Sequence, residues 1–362
     1  MSSESEGILF NLNHMARIQR LRLLAVVPVL IAAVLNTGYQ YLLGRRLTDA
    51  TNIAGWRDRL VADYIDFSVE PGLFGAMVAG LVHVVPVLVI SLLTAGIWER
   101  VFASGRNRAF DSGFTYIAIL FAMFMHPEVS LFHAAFGMSF GMVFARGIFG
   151  GEGRSFLSPA LVGVAIVQIS FPASLTDHPI WTGISGYAGT SSLLDFYQQG
   201  PEVLTWSGID WWSGFLGNAQ GLIGTTSVAA VIVGSLILIY ARVASVRLIL
   251  AHFIGLIFTA MICDTFVSVD FYLPWQWHLV LGSFAFAVVF LGTDPSSSCV
   301  TNPGRWIQGI MAGGLVVLLR AVNPSHPDSV VPVLLLVSML APLIDHIVIW
   351  LNIRHRSLQH GG

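Results

Sequence analysis

Ten apolar segments, at about residues 21–43, 72–97, 113–125, 130–146, 157–172, 223–241, 247–264, 277–293, 306–320 and 329–351, follow one another along the chain, separated by polar stretches. Lipid leaves backbone polar groups no partner outside the protein, so spanning structures are confined to helices and closed barrels, and runs of this length select helices. The fold expected is therefore an all-α polytopic membrane protein with about ten transmembrane helices. Segments 113–125 and 157–172 are shorter than the roughly 20 residues of a straight span. Pro127, Pro159 and Pro172 stand at their ends. Short or broken helices are thus expected in the interior, where surrounding protein satisfies irregular backbone.

Composition agrees with 55% hydrophobic residues, 10% charged residues and a mean hydropathy of +0.75, values too apolar for a soluble domain. All eighteen basic residues are arginine and the net charge is -2, which excludes a basic nucleic-acid-binding surface. Cys263 and Cys299 lie on different segments without paired Cys or His spacing, so they read as buried thiols rather than a disulfide or metal site. Arg17, Arg20 and Arg22 precede the first apolar run, and no small-residue cleavage site follows Tyr41. That run is read as a retained helix and not as a signal peptide.

Placing the N-terminus in the cytoplasm puts most arginines inside, including Arg100, Arg106, Arg108, Arg146, Arg242 and Arg305. Only Arg45, Arg46, Arg57, Arg59 and Arg320 fall outside. The positive-inside rule selects this orientation, with both termini cytoplasmic and the loop from Ser174 to Gln220 periplasmic. The organisation expected is a tail over 1–20, a five-helix half over 21–173, a periplasmic loop over 174–222, a second half over 223–351 and a tail over 352–362. A faint repeat links Trp98-Glu99-Arg100-Val101 with Tyr240-Ala241-Arg242-Val243 and His126-Pro127 with Asp294-Pro295. Two five-helix halves would be inverted, an architecture that places sites where the halves meet. Gly137 with Gly141 and Gly309 with Gly313 are spaced for close helix packing.

The stretch from His278 to His346 mixes apolar segments with Asp294, Arg305, Arg320 and Asp345. Ionisable groups in such segments point to function, although a helix cap or an interfacial position accounts equally for either acid. Together with Ala95-Gly96-Ile97-Trp98-Glu99, the run from Gly150 to Leu161 and Gly221-Leu222-Ile223-Gly224, this stretch resembles the NqrB membrane component of the sodium-pumping NADH:quinone oxidoreductase. It is more distantly similar to the RnfD component of the Rnf electron-transport complex. The resemblance runs from about Arg17 onward and implies two inverted five-helix halves. It also implies acids of the sodium pathway at Glu99, Asp294 and Asp345, and a quinone-associated glycine pair at Ala95 and Gly96, the first of which is alanine here. Carboxylate oxygens are hard ligands suited to sodium or protons. An arginine partner or exposure to solvent would explain each acid equally well.

The resemblance further implies FMN esterified to a hydroxyl in the loop from Ser185 to Leu193, where the family carries Asp-Gly-x-Ser-Gly-Ala-Thr. This chain has Ser185-Gly186-Tyr187-Ala188-Gly189-Thr190-Ser191, so Ser191 is the first attachment candidate and Thr190 the second. Riboflavin is a further flavin that the resemblance allows, ubiquinone is the implied substrate and Na+ the implied ion. The chain departs from the family where asparagine, arginine, a Lys-Glu pair and glutamate give way to Ser158, Val164, Arg146-Gly147 and Thr225, changes that alter the electrostatics of a cofactor pocket. No strand-linked Gly-x-Gly-x-x-Gly occurs, so NADH chemistry is assigned to partner subunits. No residue is assigned a catalytic role, and no metal site is expected. The expected function is an inner-membrane subunit of an ion-translocating NADH:quinone oxidoreductase, a translocase passing electrons through flavin toward quinone. A redox-silent channel or transporter on the same scaffold, a divergent paralogue without covalent FMN, is the alternative.

Overall fold

The computed structural model describes residues 2–47, 55–65, 72–151, 155–171, 192–200, 202, 210–266, 273–323 and 328–360. Among these residues it contains fourteen α-helices and no strand. Five helices are long and apolar enough to cross a membrane: α1 (Ser2–Leu47), α3 (Leu73–Gly105), α10 (Val246–Phe266), α13 (Asn302–Val322) and α14 (Val330–His360). Shorter elements lie between them: α2 (Trp56–Ala62), α4 (Phe114–Met123), α5 (Leu131–Phe140) and α6 (Pro159–Ser170) in the first part of the chain. The others are α7 (Ser192–Gln199), α8 (Trp211–Leu216), α9 (Val228–Tyr240), α11 (Trp275–Val280) and α12 (Phe284–Phe290). A π-helical segment, Gly141–Gly147, continues α5.

Each of the ten apolar segments falls on helix, and the interior helices are short or broken. The segment at 277–293 is divided between α11 and α12 around Gly282, whose φ of +84° is a left-handed conformation that only glycine adopts without strain. The stretch read as loop from Ser174 to Gln220 carries helix, α7 and α8, and α2 lies in the polar region after Arg45.

Two of the short helices, α4 and α12, form the centre of the protein. Every residue of α12 is buried, as are Phe121, Ala122 and Met123 of α4, and the Phe124 and Phe286 rings meet at 5.4 Å. The long helices wrap this centre and turn Ile31, Leu93, Ile97, Phe258 and Met339 outward. Large exposed side chains of this kind suit a lipid surround, which makes the chain a multi-pass membrane protein.

Lipid supplies no hydrophobic drive between helices, so association depends on close packing. Glycines provide it at the main helix pairs. A Cβ on Gly38 would lie 1.7 Å from the Ala76 carbonyl oxygen, and one on Gly80 1.8 Å from that of Val34, which locks α1 against α3. Gly255, Gly309 and Gly313 do the same for α10 and α13, with the Gly313 position 2.0 Å from the His252 carbonyl oxygen. Gly137, Gly141 and Gly163 join α5 and its π-helical extension to α6. Cys263 and Cys299 are buried free thiols, as expected. The packing predicts that Gly313→Leu, which drives carbon into the α10 backbone, destabilises the protein by about 1–3 kcal/mol or more. Thermal unfolding in detergent should show a lower midpoint, whereas Ile307→Leu on the exposed face of α13 should leave it unchanged.

Candidate functional site

The ionisable groups gather at the two ends of the bundle. At one end, Glu99 closes the last turns of α3 with only 1% exposure. Its Oε1 accepts a hydrogen bond from Arg108 Nη2 at 2.7 Å, and its Oε2 accepts one from Arg146 Nε at 3.1 Å. Arg146 Nη2 also donates to Asp111 Oδ2, and Asp111 Oδ1 accepts from the Gly113 amide at 3.0 Å. Two guanidinium groups and two carboxylates thus neutralise one another. Buried charge is tolerated in such a place only when each group is paired and hydrogen-bonded. The π-helical segment that carries Arg146 is a local irregularity of the kind that often marks functional positions.

The other two predicted acids lie at this same end, in separate settings. Asp345 Oδ2 accepts from the Val300 amide at 2.7 Å, and its Oδ1 accepts from the Thr301 amide at 3.0 Å and from Thr301 Oγ1 at 2.5 Å. Thr301 Oγ1 in turn accepts from the Gly304 amide, so Asp345 on α14 fixes the first turn of α13. Asp294 Oδ1 accepts from the Ser296 amide at 3.3 Å within the turn that follows α12. The Arg22 guanidinium lies 5.7 Å from the centre of the Tyr116 ring, and the Tyr116 hydroxyl reaches the Phe290 carbonyl at 3.5 Å. No hydrogen bond or ion pair joins Glu99, Asp294 and Asp345 to one another among the described residues.

One turn before Glu99, Ala95 is fully buried, and a Cβ on Gly96 would lie 3.3 Å from the Phe114 ring. Gly96 of the pair predicted for quinone is therefore packed against the start of α4. Ser191 and Thr190, the predicted flavin attachment residues, lie outside the described residues. Their described neighbour Ser192 opens α7 and donates its amide to the Gln220 carbonyl. Ser158, Val164 and Thr225, read in the sequence as departures from the family pattern, are all buried, and Thr225 Oγ1 donates to the Leu222 carbonyl. No group of three or more His, Cys, Asp or Glu with metal-binding geometry occurs among the described residues.

At the opposite end the structure gives Arg45 and Arg57, which marked sidedness in the sequence, and Arg320, which belongs to the stretch from His278 to His346, partners that the sequence did not show. Arg45, with its side chain fully buried, pairs with Asp58 at 2.5 Å. Tyr41 joins them, donating to Asp58 Oδ1 at 2.5 Å and accepting from Arg45 Nε at 2.9 Å. Arg57 donates to the Pro127 carbonyl at 3.0 Å, and His83 Nε2 lies 3.9 Å from Glu128. Arg320, fully buried near the end of α13, donates to His278 Nδ1 at 3.0 Å and to the carbonyls of His278 and Leu281, each at 3.3 Å. Across the same break, Asp328 Oδ1 accepts from Ser283 Oγ at 2.7 Å. The two interrupted helix ends are thus satisfied from either side, the C-terminal carbonyls of α11 by a cation and the start of α12 by an anion, the polarity that the helix dipole favours. The one signal in the sequence was the presence of arginine inside an apolar run.

Asp58→Asn would take a close ion-pair partner from the buried Arg45, a loss of up to about 3–5 kcal/mol. Unfolding in detergent should show that loss, and Arg45→Met combined with Asp58→Leu should recover a large part of it.

Residues 5–354 match the model of the NQR2, RnfD, RnfE family. The chain is similar to the B-type subunit of the Na(+)-translocating NADH-quinone reductase of Stutzerimonas stutzeri, at 36% identity over 340 residues, covering 92% of this chain and 84% of that protein. It is similar to the protein of the same name from Klebsiella pneumoniae, at 38% identity over 300 residues, covering 81% of this chain and 73% of that protein. Pseudomonas aeruginosa has another, 35% identical over 343 residues, covering 93% and 85%. The match extends over all the membrane helices and both charged ends, and the chain belongs to the NQR2, RnfD, RnfE family.

Proposed function

We propose that this chain is the membrane subunit of a Na+-translocating NADH:quinone oxidoreductase, working with other membrane and peripheral subunits in the bacterial inner membrane. The observation that carries the reading is near full-length similarity to proteins of that name combined with three acids at one end of a lipid-facing helical bundle. The ten apolar segments are ten crossings in two inverted halves, with both termini cytoplasmic and the Glu99 end facing the cytoplasm. Glu99, Asp294 and Asp345 draw Na+ from that side, and Ala95 and Gly96 border the quinone. Oxygen ligands of this type suit a hard cation, and ionisable groups in apolar segments mark ion pathways.

FMN, when bound, supplies the redox chemistry between electron donor and quinone. The chain's contribution is a hydroxyl for the phosphate ester at Ser191, or at Thr190. Both residues retain the alcohol that the linkage needs, and Gly186 and Gly189 allow close approach of the backbone. NADH binds on partner subunits.

Three measurements test these parts. In the assembled complex, Asp294→Asn or Asp345→Asn should raise the Na+ concentration for half-maximal quinone reduction by about tenfold, the effect of roughly 1.4 kcal/mol of lost interaction. Unchanged Na+ dependence in both variants would show that the two acids only shape their turns. A cysteine replacing Ser207 should react with an impermeant thiol reagent in intact spheroplasts, and labelling only after lysis would reverse the orientation. After expression with a flavin transferase, a denaturing gel under ultraviolet light should show a fluorescent band at 39.3 kDa that is lost in Ser191→Ala. A dark band from the unsubstituted chain would remove covalent flavin and favour the redox-silent transporter.

A further inference from the structure

Arg146 and Arg320 occupy corresponding places in the two parts of the chain. α4 is followed by a turn containing Pro127 and then by α5, whose π-helical extension ends at Arg146–Gly147. α12 is followed by a turn containing Pro295 and then by α13, which carries Arg320 in its last turn. Each arginine reaches back to the chain just before its own short helix. Asp111 stands three residues before Phe114, and Leu281 stands three before Phe284. The two are at opposite ends of the bundle: Arg146 lies with Glu99, whereas Arg320 lies beside α11, where Gln276 accepts a hydrogen bond from Trp211 of α8.

What each guanidinium holds is also alike in chemistry. Arg146 bridges the Glu99 and Asp111 carboxylates. Arg320 takes the His278 and Leu281 carbonyl oxygens at the C-terminal end of a broken helix, the kind of terminus that coordinates cations in membrane transporters. Carboxylate and carbonyl oxygens are hard ligands suited to Na+, and in both places tethered cations occupy them, Arg146 together with Arg108 at Glu99 and Arg320 alone at the broken helix. Among the described residues the buried Arg320 Nε has no hydrogen-bond partner.

We infer that Arg146 and Arg320 are two gates in series on the cation pathway, each a side-chain cation that must leave its oxygen ligands before Na+ takes them. Both gates are closed in this structure. The inference rests on the proposed Na+ translocation and adds the elements that keep the path shut at rest.

Gates in series make a distinctive prediction. The complete complex is reconstituted in liposomes, and 22Na+ efflux is measured without NADH, together with Na+ taken up per NADH oxidised during turnover. R146Q or R320Q alone leaves one gate closed, so resting efflux stays near background while Na+ per NADH falls. R146Q/R320Q raises resting efflux about tenfold or more, as expected from lowering a barrier by about 1.4 kcal/mol. An assembled double variant with background efflux overturns the inference, as does a single variant that leaks as much as the double. Where neutral variants do not assemble, R146K/R320K keeps both charges but loses the forked geometry. It should lower Na+ per NADH, and an unchanged ratio likewise overturns the inference. Failure of the unsubstituted complex to take up Na+ on NADH addition refutes the parent reading and separates that outcome from failure of the gates alone.

Discussion

The structure depends on satisfying arginine inside an apolar bundle. A guanidinium is never neutral under ordinary conditions and carries five donors, so a buried one dictates what surrounds it. Arg45 is met by Asp58 and Tyr41, Arg146 by Glu99 and Asp111, and Arg320 by an imidazole and two carbonyls. These clusters tie segments distant in sequence to one another at the two ends, while glycine contacts set the helix spacing between them. The middle of the bundle can then be almost wholly apolar, with the phenylalanines of α12 at its centre.

Broken helices follow from the same constraint. A continuous helix over 277–293 would need no outside partner for its backbone. The break at Gly282 frees carbonyls and amides that Arg320 and Asp328 must satisfy from α13 and the chain after it. Such an arrangement is unfavourable as mere anchorage, and interrupted helix ends of this kind supply ion ligands in membrane transporters. The Glu99 end reaches a similar condition by side chains, with a π-helical turn to aim Arg146.

Hydrophobic runs, prolines and glycine spacings were legible in the sequence because each acts locally. Lipid enforces helix wherever an apolar run is long enough, Pro159 begins α6, and the pairs Gly137 with Gly141 and Gly309 with Gly313 pack as their spacing suggests. The polar stretches were less legible: α7 and α8 gain their stability from packing on distant segments, as when Leu193 and Phe196 meet Leu273 and Leu281. The acids show the same divide. Glu99, Asp294 and Asp345 stood out as residues, but their partners Arg146, Ser296 and Thr301 follow from turns and crossings that no periodicity encodes. Arg320 and His278 were visible in one stretch, yet their bond depends on a break at Gly282 that the sequence shows only as a glycine.

In the proposed function this chain forms part of a primary sodium pump, one in which Na+ itself and not a proton is moved by electron transfer. The most direct test is NADH-driven 22Na+ accumulation by liposomes containing the complete complex, with quinone as acceptor and a protonophore present. A protonophore collapses any proton gradient that an antiport would need, so the account predicts accumulation that persists or increases. Accumulation abolished by the protonophore while quinone reduction continues would contradict it.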